Sequence, residues 1–213
     1  MGKEALVVQR RVLFSEGEFQ GFLPLEQRNM VSTILTSHSY HPRGESLENN
    51  MDLQQVIPYV WIVNPADKKI FLYRRAINQN KLEGEYKETR YLNKYSGGVG
   101  GHIDRDTEEG SKDPILKAMM RELREEVEMV QYPSPKIVGY IKDDSDSIGK
   151  VHFGIVAIAE TLENVKSRTS EGLSEGKFYS VDEVEKIFSD KNNQVENWTS
   201  ISWPVIKNFI QAY

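Results

Sequence analysis

The residues Arg121-Glu122-Leu123-Arg124-Glu125-Glu126 put three carboxylates and two guanidiniums into six positions. On a helix, Glu122 lies three residues from Glu125 and four from Glu126. The three carboxylates then gather on one side while Leu123 turns towards a core. Like charges at these spacings repel by roughly a few tenths of a kcal/mol per pair. A divalent cation such as Mg²⁺ reverses that penalty, because it is hard, prefers oxygen and is commonly shared between protein carboxylates and a substrate phosphate. Arg121 is placed to orient a carboxylate by paired hydrogen bonds. Gly100 and Gly101 permit a tight turn whose carbonyls can also face a metal. The rival reading is a solvated, ion-paired helix: residues 101–128 hold nine acidic and five basic side chains, which is −4 of the chain's net −5. Charge count alone favours that rival, so spacing and context have to decide.

The flanking elements supply the context. Asp113 is a good N-cap and Pro114 suits the first helical position. Leu116, Met120, Leu123 and Val127 then recur at helical spacing, and Tyr132-Pro133-Ser134-Pro135 ends the segment. Val56–Val63 reads as a buried strand, Asn64–Asp67 as a turn and Lys69–Arg75 as the returning strand. Residues 76–94 form a long polar connection, and Ser96–Gly101 is glycine-rich. Lys136–Lys142 and Lys150–Glu160 read as strands joined by the acidic turn 143–149. Residues 177–180 are a further strand, and Val181–Phe188 and Trp203–Ala212 read as helices. Before all of these, residues 4–14 look like a strand, 25–37 like a short helix and 41–50 like a loop. Strands and helices mix without strict alternation, which predicts an α+β or layered α/β domain.

Gly100-Gly101-His102-Ile103-Asp104, followed by Ala118–Val127 with its Arg-Glu-Leu-Arg-Glu-Glu core, resembles the Nudix box of MutT-like hydrolases. Gln55–Tyr59 with Ser96–Ile103 further resembles a subgroup of predicted phosphoesterases within that family. The resemblance spans about residues 55–190 and has three departures. Eleven residues, rather than five, separate Gly101 from the box's first acid. That acid is Asp113 instead of glutamate. The closing glycine is Glu128.

The resemblance implies a Nudix-type α/β/α sandwich with a mixed sheet, occupying residues 55–213 and preceded by an N-terminal extension, 1–54, packed on the core. It also implies Mg²⁺-dependent (or Mn²⁺-dependent) hydrolysis of a pyrophosphate bond in a nucleoside diphosphate linked to another group. Glu122, Glu125 and Glu126 would hold metal, with the Gly100 carbonyl a further ligand and Arg121 an orienting residue. The general base is a box glutamate or a later acid, Glu175 first and Glu171 second, each followed by glycine. Arg74, Arg75 and His102 are candidates to meet the substrate, although adjacent strand residues face opposite sides, so only one of the two arginines can do so. His102 has a turn role as its alternative. His38 and His41 without further ligands make a weak metal pair. Tyr59, Trp61 and Tyr73 suit a core better than a base stack. Two rival functions remain: a non-catalytic Nudix-fold sensor of a nucleotide or metabolite, and an interaction protein with a charged helix.

Composition excludes other classes. The 213 residues contain no cysteine, which removes disulfides, cysteine-ligated zinc and thiol nucleophiles and favours a cytoplasmic address. No apolar run approaches a membrane span, and no signal-peptide core follows Met1. The negative net charge argues against broad nucleic-acid binding. Apolar residues in 1–54, including Met30, Val31 and Ile34, need cover from the rest of the chain or from a second copy in a homodimer.

Overall fold

The computed structural model describes residues 3–77 and 92–213. Most of the 76–94 connection therefore lies outside the described residues. The chain divides into two compact units: Met1–Tyr59, Gly100–Met119 and Lys136–Ala157 form the first, and Val60–Val99, Met120–Pro135 and Ile158–Tyr213 the second. The strand pairs described below are antiparallel, whereas an isolated bridge between Tyr95 and Val195 runs parallel. Helices and mixed strand pairing give the expected α+β class. No helix among the described residues is long and apolar enough to cross a membrane.

In the first unit, the strand Glu4–Gln9 pairs on one side with His38–Pro42 (Leu6 opposite Tyr40) and on the other with the start of Leu53–Asn64 (Val8 opposite Gln54). Ala5, Leu6, Val7 and Val8 are all fully buried, so both faces of this strand are covered and the apolar run is continuous rather than alternating. The strand stops at Gln9, and Arg10–Leu13 turns into a short helix. Gly21–Pro24 pairs with Lys136–Lys142, bringing Leu23 opposite Tyr140. The Tyr140 hydroxyl accepts from the Met30 amide at 2.9 Å and so seats the helix Val31–Ser37, which is shorter than the pattern over 25–37 suggests. Tyr140 stacks on Phe153, which Phe14 and Phe19 meet edge-on. Residues 1–54 thus supply strands and core to this unit. The stretch 41–50 is more ordered than a loop, because it finishes a strand and includes the helical turn Glu45–Glu48.

In the second unit, Lys69–Arg75 pairs with the end of Leu53–Asn64 and, on its other edge, with Leu173–Ser180. Short pairings bring Ser96 opposite Tyr73 and Val99 opposite Val60. Ser180 and Glu183 close a capping box on the helix Val181–Ser189. The helix Asn197–Gln211 buries Trp203, Ile206 and Ile210. The Trp61 indole donates to Ser202 Oγ at 3.0 Å, and its ring lies 6.3 Å from that of Trp203. Tyr59, Trp61 and Tyr73 are all core residues, at most 2% exposed.

Candidate active site

The box segment is the helix Pro114–Glu126. Its start follows the sequence reading: Asp113 Oδ1 accepts from the Leu116 amide at 2.9 Å, and Pro114 fills a position where no donor is needed. The buried stripe differs from the expected one. Ile115, Ala118, Met119, Glu122, Leu123 and Glu126 are buried, while Leu116 and Met120 are only half-buried. Two of the three box carboxylates therefore share the inward stripe with Leu123 instead of opposing it. Glu122 is 7% and Glu126 9% exposed, whereas the Glu125 side chain is half exposed. Arg121 Nη1 donates to Glu122 Oε1 at 2.7 Å and to Glu125 Oε2 at 2.9 Å, so one guanidinium nitrogen links two box acids.

The departures from the box pattern acquire physical form. The longer approach to the helix contains the turn Arg105–Glu108. Glu108 is fully buried there and its Oε2 accepts from the Asp104 amide at 2.7 Å. Arg105 bridges Glu109 and Glu4, each at 2.8 Å, and Lys117 Nζ donates to the Thr107 carbonyl. At the exit, Val127–Glu128 becomes a short strand paired with Lys166–Ser167, and Glu128 meets Arg168 at 3.2 Å. The chain leaves extended, so no left-handed glycine is needed at 128.

Arg74 and Arg75 part company. Arg75 Nη2 stands 3.5 Å from Glu196 Oε1, and its guanidinium lies 5.4 Å from the Tyr73 ring centre. Burial drives the Tyr73 hydroxyl well above the usual tyrosine range. Arg75 opposes that rise, while the Glu126 and Glu196 carboxylates add to it. Arg75, Glu126 and Glu196 thus act on the same hydroxyl. Arg74 instead covers the Tyr95 ring at 4.5 Å, donates to the Tyr95 hydroxyl and pairs with Glu175 at 3.4 Å.

The segment 170–176 is not a simple loop. Glu171 ends a 3₁₀ turn, and Glu175 sits within the strand Leu173–Ser180, at an irregularity between Ser174 and Lys177, with φ +54° and a side chain 70% exposed.

Gly100 and His102 belong to the first unit. A Cβ on Gly100 would lie 1.9 Å from the Pro58 carbonyl oxygen, so close backbone approach alone requires glycine there. His102 Nε2 lies 2.8 Å from Gln55 Oε1. His38 spends Nδ1 on the Ile34 and Leu35 carbonyls, and its position on the strand sends His41 to the opposite face.

Sequence reasoning missed Glu196, whose one signal is an acid at the start of an apolar-periodic helix. It also passed over Glu48 and His152, which carry no motif.

No family model matches the chain. Its structure is similar to that of Tm1382, described provisionally as a Nudix hydrolase, with a TM-score of 0.75 and 24% identity, over 97% of this chain and 99% of that one. It is also similar to the NUDIX domain of Shewanella oneidensis NrtR, crystallised with ADP ribose, with a TM-score of 0.52 and 13% identity, over 75% and 89% of the two chains. The fold is that of the Nudix hydrolases, a mixed sheet with helices. In sequence the chain is 30% identical over 208 residues to Protein YmaB of Bacillus subtilis (strain 168), covering 93% of this chain and 95% of that protein. The chain belongs to the family of Protein YmaB, with the Nudix fold.

Proposed function

We propose that this protein is a Mg²⁺- or Mn²⁺-dependent pyrophosphohydrolase acting on a nucleoside diphosphate linked to a second group. The observation that carries this reading is the arrangement of Glu122, Glu125 and Glu126 over little more than one helical turn, two of them buried, with Arg121 tied to two of the three. An all-oxygen, anionic donor set suits a hard divalent cation. Glu122, Glu125 and Glu126 would hold the ion. When bound, it supplies charge neutralisation at phosphorus and a more acidic water. The chain's own contribution is positional. Arg121 holds Glu122 and Glu125 in place, and one of Arg74 and Arg75 would meet a phosphate oxygen. Both are already engaged, Arg74 by Tyr95 and Glu175 and Arg75 by Glu196 and the Tyr73 ring. The acceptor of the water proton is a box glutamate, Glu175 or Glu171.

The NrtR domain's bound ADP ribose supports a substrate of the nucleoside-diphosphate kind. A sensor role is the second reading, and that same ligand on a similar fold favours it. Residues 1–54, which share a compact unit with 100–119 and 136–157, are proposed as an integral part of the fold. A cytoplasmic address fits the absence of cysteine.

The test is product release over a panel of ADP-sugars, dinucleoside polyphosphates and nucleoside triphosphates, with Mg²⁺, Mn²⁺ or chelator. Metal-dependent turnover of a diphosphate-linked substrate is expected. Binding without turnover across the panel would establish the sensor reading instead. For the base, Glu175→Gln or Glu171→Gln should lower turnover by roughly 10²–10⁴-fold while substrate still binds. Full activity in both variants assigns the role to the box helix.

A further inference from the structure

The first unit gathers Glu48, His102 and His152 so that one ligand atom from each lies within 4.8 Å of the other two. None is a box carboxylate. They come from a helical turn, the residue just after the glycine-rich run and the strand His152–Glu160. The two imidazole rings are 5.6 Å apart, and His152 is 7% exposed.

The surrounding hydrogen bonds fix how these groups are presented. His152 Nδ1 lies 2.7 Å from the Ile148 carbonyl oxygen, which can only accept, so that nitrogen carries the proton and Nε2 the lone pair. His102 Nε2 likewise faces Gln55 Oε1, at 2.8 Å. The same Gln55 amide donates through Nε2 to Glu48 Oε1 at 3.2 Å, an arrangement that fixes the amide's orientation. Each histidine thus commits one nitrogen to a protein oxygen, a bond of the kind that fixes the ring orientation of metal-ligating imidazoles.

The turn behind His152 is itself held. The fully buried Lys142 donates to the Gly149 carbonyl at 2.5 Å and pairs with Asp144 at 2.6 Å. A Cβ on Gly149 would lie 1.7 Å from the Asp143 carbonyl oxygen, so the turn is closed tightly against itself. The Ile148 carbonyl therefore holds its position under His152.

We propose that Glu48, His102 and His152 form a second metal site, for a borderline divalent transition ion such as Zn²⁺ or Co²⁺. Two imidazoles and one carboxylate suit such an ion, whereas Mg²⁺ prefers oxygen. Ligand distances of about 2.0–2.1 Å place tetrahedral donors about 3.3 Å apart, so the trio contracts by no more than about 1.5 Å on binding. Three protein ligands leave a position for water or a substrate atom.

The test titrates the full-length, chelator-stripped protein with CoCl₂ in excess Mg²⁺, read by visible absorption. Wild type should bind one cobalt with the intense d–d bands of a low-coordinate, nitrogen-containing site. Glu122→Gln/Glu126→Gln, which disables the box, should retain those bands. His102→Ala and Glu48→Gln should each weaken cobalt binding at least about tenfold, with circular dichroism unchanged. His152→Ala is added only as a third variant, since its burial threatens folding. Displacement of the cobalt by Mg²⁺, or unchanged affinity in folded His102→Ala and Glu48→Gln, would overturn the proposal.

Discussion

The Ser96 hydroxyl donates to Oε2 of Glu196 at 2.5 Å, joining the glycine-rich run to the residue that opens the last helix. The other oxygen of that carboxylate faces Arg75, and the Glu196 amide donates to the Tyr95 carbonyl at 2.9 Å. With the Glu196 side chain 8% exposed, these partners compensate the burial of its charge. Removing the carboxylate with Glu196→Ala should cost about 1–3 kcal/mol in urea unfolding, because buried polar partners lose their acceptor. Glu196→Gln keeps one acceptor and should cost less. Equal losses in the two variants would mean that packing, rather than hydrogen bonding, accounts for the effect.

Gly97 is predicted to tolerate no side chain. A Cβ there would sit 2.1 Å from the Trp61 ring, itself fully buried and pinned to Ser202. Gly97→Ala should lower stability by about 1–3 kcal/mol through overpacking. Gly97→Ala combined with Trp61→Phe, which shortens the clashing ring, should lose less than the sum of the single changes. Strict additivity would show that the contact is not the cause.

The Lys142–Asp144 pair predicts a pH signature. Burial pushes the Asp144 carboxyl up, but Lys142 and Arg10 outweigh it and hold the group below the usual carboxylate range. Burial holds Lys142 below the usual lysine range. Asp144 stabilises the fold above its unfolded pKa, and that stability is lost as pH falls through the lower folded value. Asp144→Asn, which strands a buried ammonium, should cost about 3–5 kcal/mol at pH 7. The gap between wild type and variant should shrink below about pH 4, where wild type loses the charge as well. A gap that is constant from pH 7 to pH 3 would rule this out.

The box carboxylates should respond differently to neutralisation. Glu125→Gln and Glu126→Gln should each lower metal-dependent turnover by at least about tenfold and raise the metal concentration required. In metal-free protein, Glu126→Gln should raise the melting temperature, because it relieves repulsion from Glu122 four residues away. Glu125→Gln should gain less, since Glu125 is half exposed and shares Arg121. Unaltered turnover and metal dependence in both variants would remove the box from the mechanism.

Much of the molecule is legible in the sequence because the signals are local. Asp113 and Pro114 mark the helix start through backbone groups only three residues apart, and the structure places both there. The strand Lys69–Arg75 follows from its own side chains and the turn before it. The Arg-Glu-Leu-Arg-Glu-Glu string fixes the spacing of three carboxylates on one helix whatever surrounds it.

Which way that helix faces is a different matter. Periodicity cannot separate the stripe containing Leu116 and Met120 from the one containing Ile115 and Met119, since both are apolar. Packing chose the second, and with it the burial of Glu122 and Glu126. The partners of Ser96 and Gln55 depend likewise on chain segments far apart in sequence. Glu196 lies a hundred residues from Ser96, and His102 and His152 fifty from each other. Neither spacing leaves a local trace. The sequence by itself determined the central strands, the box helix and the chemistry its oxygens can support. Only the tertiary structure decided which of two adjacent arginines meets Glu196, and which histidines share a neighbourhood, because those choices are made by burial and long-range strand pairing.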